Sequence, residues 1–342
     1  MNRPLRLLFR DLVLLAGAVP LAACASTVVP EYDGAPPADA VLADGASCRP
    51  IPNNDTCAQS EDWRCGIPVV VPTLAFQTGP VCDTLCPDFV GQSFFNHSCQ
   101  VIPADGGGAI VNCVLCRTGR RPEGWTLAPT TNASTPLGGF FAGLAELEAA
   151  SIPAFRALLN DLIAHGAPSS LIEMARAAIV DERAHTRAMG ALAKRFGAAP
   201  RTPRVKRRGV DSIEAVATMN AVEGCVGETF GALIATFQAR HAADAMIRQA
   251  MTRIAEDETR HAELAQQVAN WADGLLDDAA RERVSSARTR ALDTLREEAS
   301  LGVHDDLIAF AGMPTARQAR ALVDALAPAI EAMSPQRTHA LS

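Results

Sequence analysis

From residue 138 onward, apolar and charged positions interleave as they do on amphipathic helices, and alanine abounds. Punctuation divides the stretch into segments. Thr135-Pro136 offers an N-cap followed by proline at the first helical position, and Gly166-Ala-Pro168 stops the helix after about His165. Ser170 and Glu173 are spaced as a capping box for a second helix, which reaches about Phe196-Gly197. After a loop over 197–210, Asp211 and Glu214 open a third helix that runs to about His241. A fourth follows from near Asp244 to Trp271, and two more stretches cover roughly 276–300 and 314–333. The expected fold class is mainly α.

Ahead of this region the pattern changes twice. Arg3, Arg6 and Arg10 precede an apolar run beginning at Leu12, and Leu21-Ala-Ala-Cys24 follows it. That run is shorter than the roughly 20 apolar residues of a lasting transmembrane helix, so it reads as a targeting signal. Its end resembles the lipobox of bacterial lipoproteins, which implies a signal peptide over 1–24 and lipidation of Cys24. The expected location is outside the cytoplasm, anchored to a membrane through the N-terminal lipid, on the periplasmic or cell-surface side of a bacterial envelope. Residues 25–47, rich in Ala, Pro, Asp and Gly, read as a flexible tether.

Cysteine usage agrees with export. Of ten cysteines, eight (Cys48, Cys57, Cys65, Cys82, Cys86, Cys99, Cys113 and Cys116) crowd into residues 48–127. Outside the cytoplasm such an even set reads as a disulfide framework, for which 105 pairings are possible and the sequence selects none. The expectation is a small, irregular, disulfide-rich module with little core of its own. Cys225 lies outside this set. The net charge of -7 argues against a nucleic-acid partner. A protein partner for the cysteine-rich module is compatible with it.

The helical region repeats itself. Glu148 and Phe155 in the first helix are spaced like Glu223 and Phe230 in the third, and Asp181-Glu-Arg-Ala-His185 in the second echoes Asp257-Glu-Thr-Arg-His261 in the fourth. The step from the lone Glu to the Glu-x-x-His is 34 residues in the first half and 35 in the second. A Glu and a His three apart share a helix face, about 5–6 Å apart at Cβ, so both can reach one ion. Two such pairs and two lone glutamates, all pointing inward, provide four carboxylates and two imidazoles. Without thiolates, that set suits iron or manganese.

The order Glu, Glu-x-x-His, Glu, Glu-x-x-His over residues 138–272 resembles the ferritin-like superfamily. The resemblance covers about 40 per cent of the chain. It implies a four-helix bundle with a two-metal carboxylate site built from Glu148, Glu182, His185, Glu223, Glu258 and His261, with Glu148 and Glu223 as bridging candidates. Residues 273–342 then form a C-terminal helical extension. Glu146 is an alternative to Glu148. Glu228, five residues after Glu223, stands about 140° away on a regular helix, but Gly224 and Gly227 weaken this helix, and a bulge would turn Glu228 inward. It is a supporting candidate. The crossover 197–210 must span a helix about 42 Å long with 14 residues reaching about 46–50 Å, so it is taut.

With two iron or manganese ions, the implied activity is reaction with oxygen or peroxide, of ferroxidase, oxidase or peroxidase type; no single residue is assigned as catalytic. A tyrosyl-radical role is disfavoured because Tyr32 is the only tyrosine and sits in the tether. A rubrerythrin-like arrangement needs two close Cys-x-x-Cys pairs, whereas this chain has one, Cys113 and Cys116. The alternative of a different class is a surface lipoprotein whose cysteine-rich module binds a partner and whose bundle is metal-free or purely structural.

Overall fold

The computed structural model describes residues 5–17, the strand residues 49–51, 62–64, 77–78, 98–104 and 108–114, and residues 135–332 apart from 206–207 and 301–302. The lipidation candidate Cys24, the tether with Tyr32, and most of the cysteine-rich module lie outside them. The protein is mainly α. Five short strands, β1 (Arg49–Ile51), β2 (Asp62–Arg64), β3 (Gln77–Thr78), β4 (Ser98–Ala104) and β5 (Gly108–Val114), form one antiparallel sheet in the order β1-β2-β5-β4-β3. This corrects the expectation of an irregular module. Three of these strands have only two or three residues, too few for an alternating pattern to be read. Only Asp105-Gly-Gly between β4 and β5 carries a hairpin signal. The β4–β5 register sets Cys99 opposite Cys113.

The helices are α1 (Leu5–Gly17), α2 (Pro136–Ala164), α3 (Ser169–Arg195), α4 (Ile213–Met219), α5 (Thr229–His241), α6 (Ala245–Asp273), α7 (Asp278–Ala299), α8 (Asp305–Ala309) and α9 (Ala316–Glu331). Between α4 and α5 the chain continues without a break as a π-helical segment, Asn220–Glu228. Local chemistry sets most of the boundaries. Thr135 accepts a hydrogen bond from the Gly138 amide, Asp244 from those of Met246 and Ile247, and Thr315 forms a full capping box with Gln318. Gly166 and Gly197, both at positive φ, close α2 and α3. Two expected caps differ. Ser170 lies inside α3, which starts after Pro168 with no side-chain cap, and Ser212 rather than Asp211 caps α4.

Helix α2 packs along α3, and α5 with the π segment packs along α6; the two pairs meet where α3 contacts α6. Helices α7 and α9 cover the second pair. Helix α1, expected as the apolar part of a signal, lies against α5, α6 and α9 with Phe9, Leu12, Val13 and Ala16 buried. Among the described residues no helix is long and apolar enough to cross a membrane. The apolar interior of the two helix pairs is split. One cluster centres on Phe141, Met189 and Phe230, the other on Phe155, Leu162 and Val268. Along α2 and α3, Glu148, Glu182 and His185 fall in sequence between the residues of the two clusters.

The crossover from α3 to α4 is not the solvated basic loop its composition suggests. Buried Glu146 accepts from the Arg201 amide at 2.7 Å and from its guanidinium at 2.9 and 2.8 Å. Buried Asp161 accepts from the Arg208 guanidinium at 2.7 Å and from the Asp211 amide at 3.1 Å. Glu146 and Asp161 are about 22 Å apart along α2 at 1.5 Å per residue. The seven residues from Arg201 to Arg208 span at most about 23–25 Å. The crossover is therefore held to α2 at two points, Arg201 and Arg208. Glu146, an alternative ligand in sequence terms, is committed to this strap. Arg201→Ala, which strands the Glu146 carboxylate, should cost about 3–5 kcal/mol in urea unfolding. Replacing both partners, Glu146→Leu with Arg201→Met, should cost less.

Candidate metal centre

Five of the six expected ligands converge. Two groups form, each with ligand atoms within 4.8 Å of one another: Glu148, Glu182, His185 and Glu258, and Glu182, Glu228, Glu258 and His261. Glu148 comes from α2, Glu182 and His185 from α3, Glu228 from the end of the π segment, and Glu258 and His261 from α6. Glu182 and Glu258 belong to both groups, so the shared carboxylates come from the Glu-x-x-His helices and not from the lone-glutamate helices. The imidazoles cross over. His185 Nδ1 lies 3.2 Å from Glu258, and His261 Nδ1 lies 3.2 Å from Glu182.

Glu223 is in neither group, and Glu228 stands in its place. The reason is the π segment. Hydrogen bonding from i to i+5 widens the turn and inserts a residue into the helical count, so positions five apart come near the same face. Counting along the repeat pairs Glu223 with Glu148, but the insertion carries Glu228 to the level of the other ligands, where it is buried. Glu223 is half-buried. In the first half Pro153 occupies the position matching Glu228, and α2 continues through it as an ordinary α-helix. The two halves are thus similar in sequence and different in backbone.

Behind the ligands lies a second layer that sequence reasoning left among the charges lining the helices. His185 Nε2–H donates to Asp257 at 3.1 Å, and His261 Nε2 lies 3.5 Å from Asp181. The Arg260 guanidinium donates to both aspartates, at 2.7 and 3.0 Å. The Asp257 hydrogen bond fixes the outer nitrogen of His185 and leaves its Nδ1 turned toward the carboxylates, while His261 Nε2 meets Asp181 by charge alone, without a hydrogen bond. The legible signal was the whole motif, Asp-Glu-x-x-His, present twice.

The electrostatics of the cluster are those of charges held close in a dry place. Burial works against a charged His185, but Asp257, Glu148 and Glu258 outweigh it and hold the imidazolium well above the usual range. His261 is likewise raised despite burial, by Glu258, Asp181, Glu182 and Glu228. Burial, with the neighbouring charge of Glu148, drives Glu182 up. Glu258 is drawn down despite burial by His261 and His185. Asp257 is also lowered against its burial, by His185 and Arg260.

Compared with known proteins, the chain matches no family model, no curated protein and no solved structure. The fit of a metal rests on the chemistry of the site itself. Glu182 Oε2, His185 Nδ1 and His261 Nδ1 are fully enclosed and make no hydrogen bond of acceptable geometry, although carboxylate oxygens surround them. Buried polar atoms without partners are costly. All three point into the cluster, as ligand atoms would. The buried acidic and imidazole groups could hold metal ions, and the residues present fit that role.

Two outcomes follow from this geometry. Asp257→Asn and Asp181→Asn leave every ligand in place but alter the support of each imidazole. Each should weaken metal binding about 10–100-fold in chelator competition. The pH dependence has a definite sign. Because both imidazoles are held protonated without metal, loading must expel protons, and affinity should rise with pH through neutrality. Titration calorimetry in buffers of differing protonation enthalpy reads the protons released. In metal-free protein the raised imidazoles contribute their full stability below about pH 6.5, whereas the lowered Asp257 contributes only above about pH 4. Metal-free protein should therefore lose stability as pH falls below that carboxylate range, and also as pH rises from about 6.5 toward 8, where the unfolded chain sheds imidazole protons that the folded protein keeps.

Proposed function

We propose that residues 136–273 form a ferritin-like four-helix bundle that holds two iron or manganese ions and reacts with oxygen or peroxide. The observation that carries this reading is the pair of ligand groups sharing Glu182 and Glu258. In it, Glu148 and His185 would hold one ion and Glu228 and His261 the other, with Glu182 and Glu258 within reach of both. An iron or manganese pair supplies the electrons for reduction of an oxidant. The chain contributes a rigid, water-poor cage, two oriented imidazoles, and a carboxylate-rich set that offsets the ions' positive charge. With no thiolate among the ligands, a soft-metal site is the poorer fit.

We further infer that the protein is exported and held at a membrane through lipidated Cys24. This rests on the sequence of residues 1–24. Release at Cys24 would remove α1 and uncover the faces of α5, α6 and α9 that it covers. The disulfide reading of residues 48–116 draws support from the Cys99–Cys113 register. Paired antiparallel residues have Cα atoms about 4.5–5.5 Å apart, within the range a disulfide spans.

Protein purified without chelator and reconstituted with Fe(II) should carry about two ions per chain by elemental analysis. His185→Ala and His261→Ala should each lower that content while the helical signal stays intact. Metal-free Glu182→Ala should melt no lower than metal-free wild type, because a crowded carboxylate is removed, yet gain less on metal addition. A folded wild type with no bound metal would instead favour a lipoprotein whose helices are a scaffold.

A further inference from the structure

Helix α1 carries the apolar part of the expected targeting signal, yet in the folded chain it is a helix of the core. Its buried residues are Leu5, Phe9, Leu12, Val13 and Ala16, a recurrence that marks one face of a helix. Phe9 is 0% and Val13 1% exposed, as enclosed as any side chain of the helical region. Leu8, half-buried, packs against the same apolar cluster. The opposite side of α1 shows Arg6, Arg10 and Leu14 to solvent. A segment recognised by its apolar residues must present them, and here the largest are already taken.

The face that receives α1 belongs to α5, α6 and α9. Leu233, Ile247 and Leu326, one from each of these helices, share a single apolar cluster with the buried stripe of α1. All three helices lie in the last part of the chain, between Thr229 and Glu331. The stripe and its seat are therefore made at opposite ends of synthesis. Residues 18–331 take about 15–60 s to make at roughly 5–20 residues per second. Until they are made and folded, α1 has nothing to dock on and its apolar side stays available.

We propose that docking of α1 onto α5, α6 and α9 is an autoinhibitory contact that withdraws the targeting segment from the folded chain and restricts export to chains whose helical region has not yet folded. The proposal rests on the export reading of residues 1–24 and gives it a timing. The physical basis is exclusion. A membrane surface or an apolar recognition groove would take up Phe9, Leu12 and Val13 through the same stripe that the core uses, so the segment cannot be in both places. Folding and export thus compete for one helix face.

The test uses the full, unprocessed chain in its folded state, with vesicles of phosphatidylethanolamine and phosphatidylglycerol as the probe. A synthetic peptide of residues 1–24 is the reference, since its arginines and apolar run suit an anionic bilayer surface. In sedimentation with vesicles the peptide should bind and the folded wild type should stay in solution. Ala16→Trp places a large apolar side chain where α1 is closely packed, so it should expel α1 and carry the folded chain to the vesicles. Leu14→Trp adds the same group on the exposed side and should stay in solution. Should Ala16→Trp fail to fold, Phe9→Ala with Val13→Ala loosens the same contact by removing side chains. Independently of vesicles, Val13→Cys should lose its reaction with maleimide on folding, while Leu14→Cys keeps it. Folded wild type that binds vesicles as the peptide does, equal reactivity at 13 and 14, or Ala16→Trp behaving as Leu14→Trp does would overturn the proposal and leave the export reading standing. A peptide that ignores the vesicles while Val13→Cys stays protected would remove the export reading and the proposal with it, leaving α1 a helix of the core alone.

Discussion

Four carboxylates and two imidazoles enclosed between helices are the condition to which the rest of this structure answers. In a dry interior, like charges crowd one another and unpaired polar atoms lose their water. The metal-free cluster relieves this with protons: Glu182 is driven toward its neutral form, while His185 and His261 are held charged between their carboxylate neighbours. A cation would do the same with more charge and better geometry. The enclosed atoms without hydrogen bonds, Glu182 Oε2 and the two Nδ1 nitrogens, mark where protons do not suffice.

Holding such a site in place requires rigidity from the helices, and the devices are themselves ionic. Arg260 ties Asp181 to Asp257 and so ties α3 to α6 at the outer edge of the imidazoles. Arg201 and Arg208 strap the crossover to α2 through Glu146 and Asp161. Aromatic packing adds to this on the inner side, where the Phe155 ring stands 5.0 Å from that of His261.

The two halves of the helical region show how a repeat can be kept in sequence and broken in structure. The Glu-x-x-His helices α3 and α6 are true counterparts, with reciprocal contacts between each histidine and the other helix. The carboxylate helices are not. The π segment rotates one of them by an inserted residue and brings Glu228 inward.

The sequence alone determined the α class, the helix boundaries within a few residues, and five of the residues that converge in the buried cluster, since caps, prolines and Glu-x-x-His spacing act over one or two turns of chain. Spacing at that range is set by helix geometry, whatever the surroundings. It also suggested that a weakened third helix would turn Glu228 inward. What it did not decide was the choice between Glu223 and Glu228, because a π segment is selected by packing on both sides of the helix. The same holds for Asp181 and Asp257, whose role depends on a partner more than seventy residues away. Glu146 and Arg201 were unreadable as a pair for the same reason. The sheet escaped notice because strands of two and three residues are defined by their neighbours and carry almost no pattern of their own. Local geometry could be read from residue order; contacts between distant segments had to be seen.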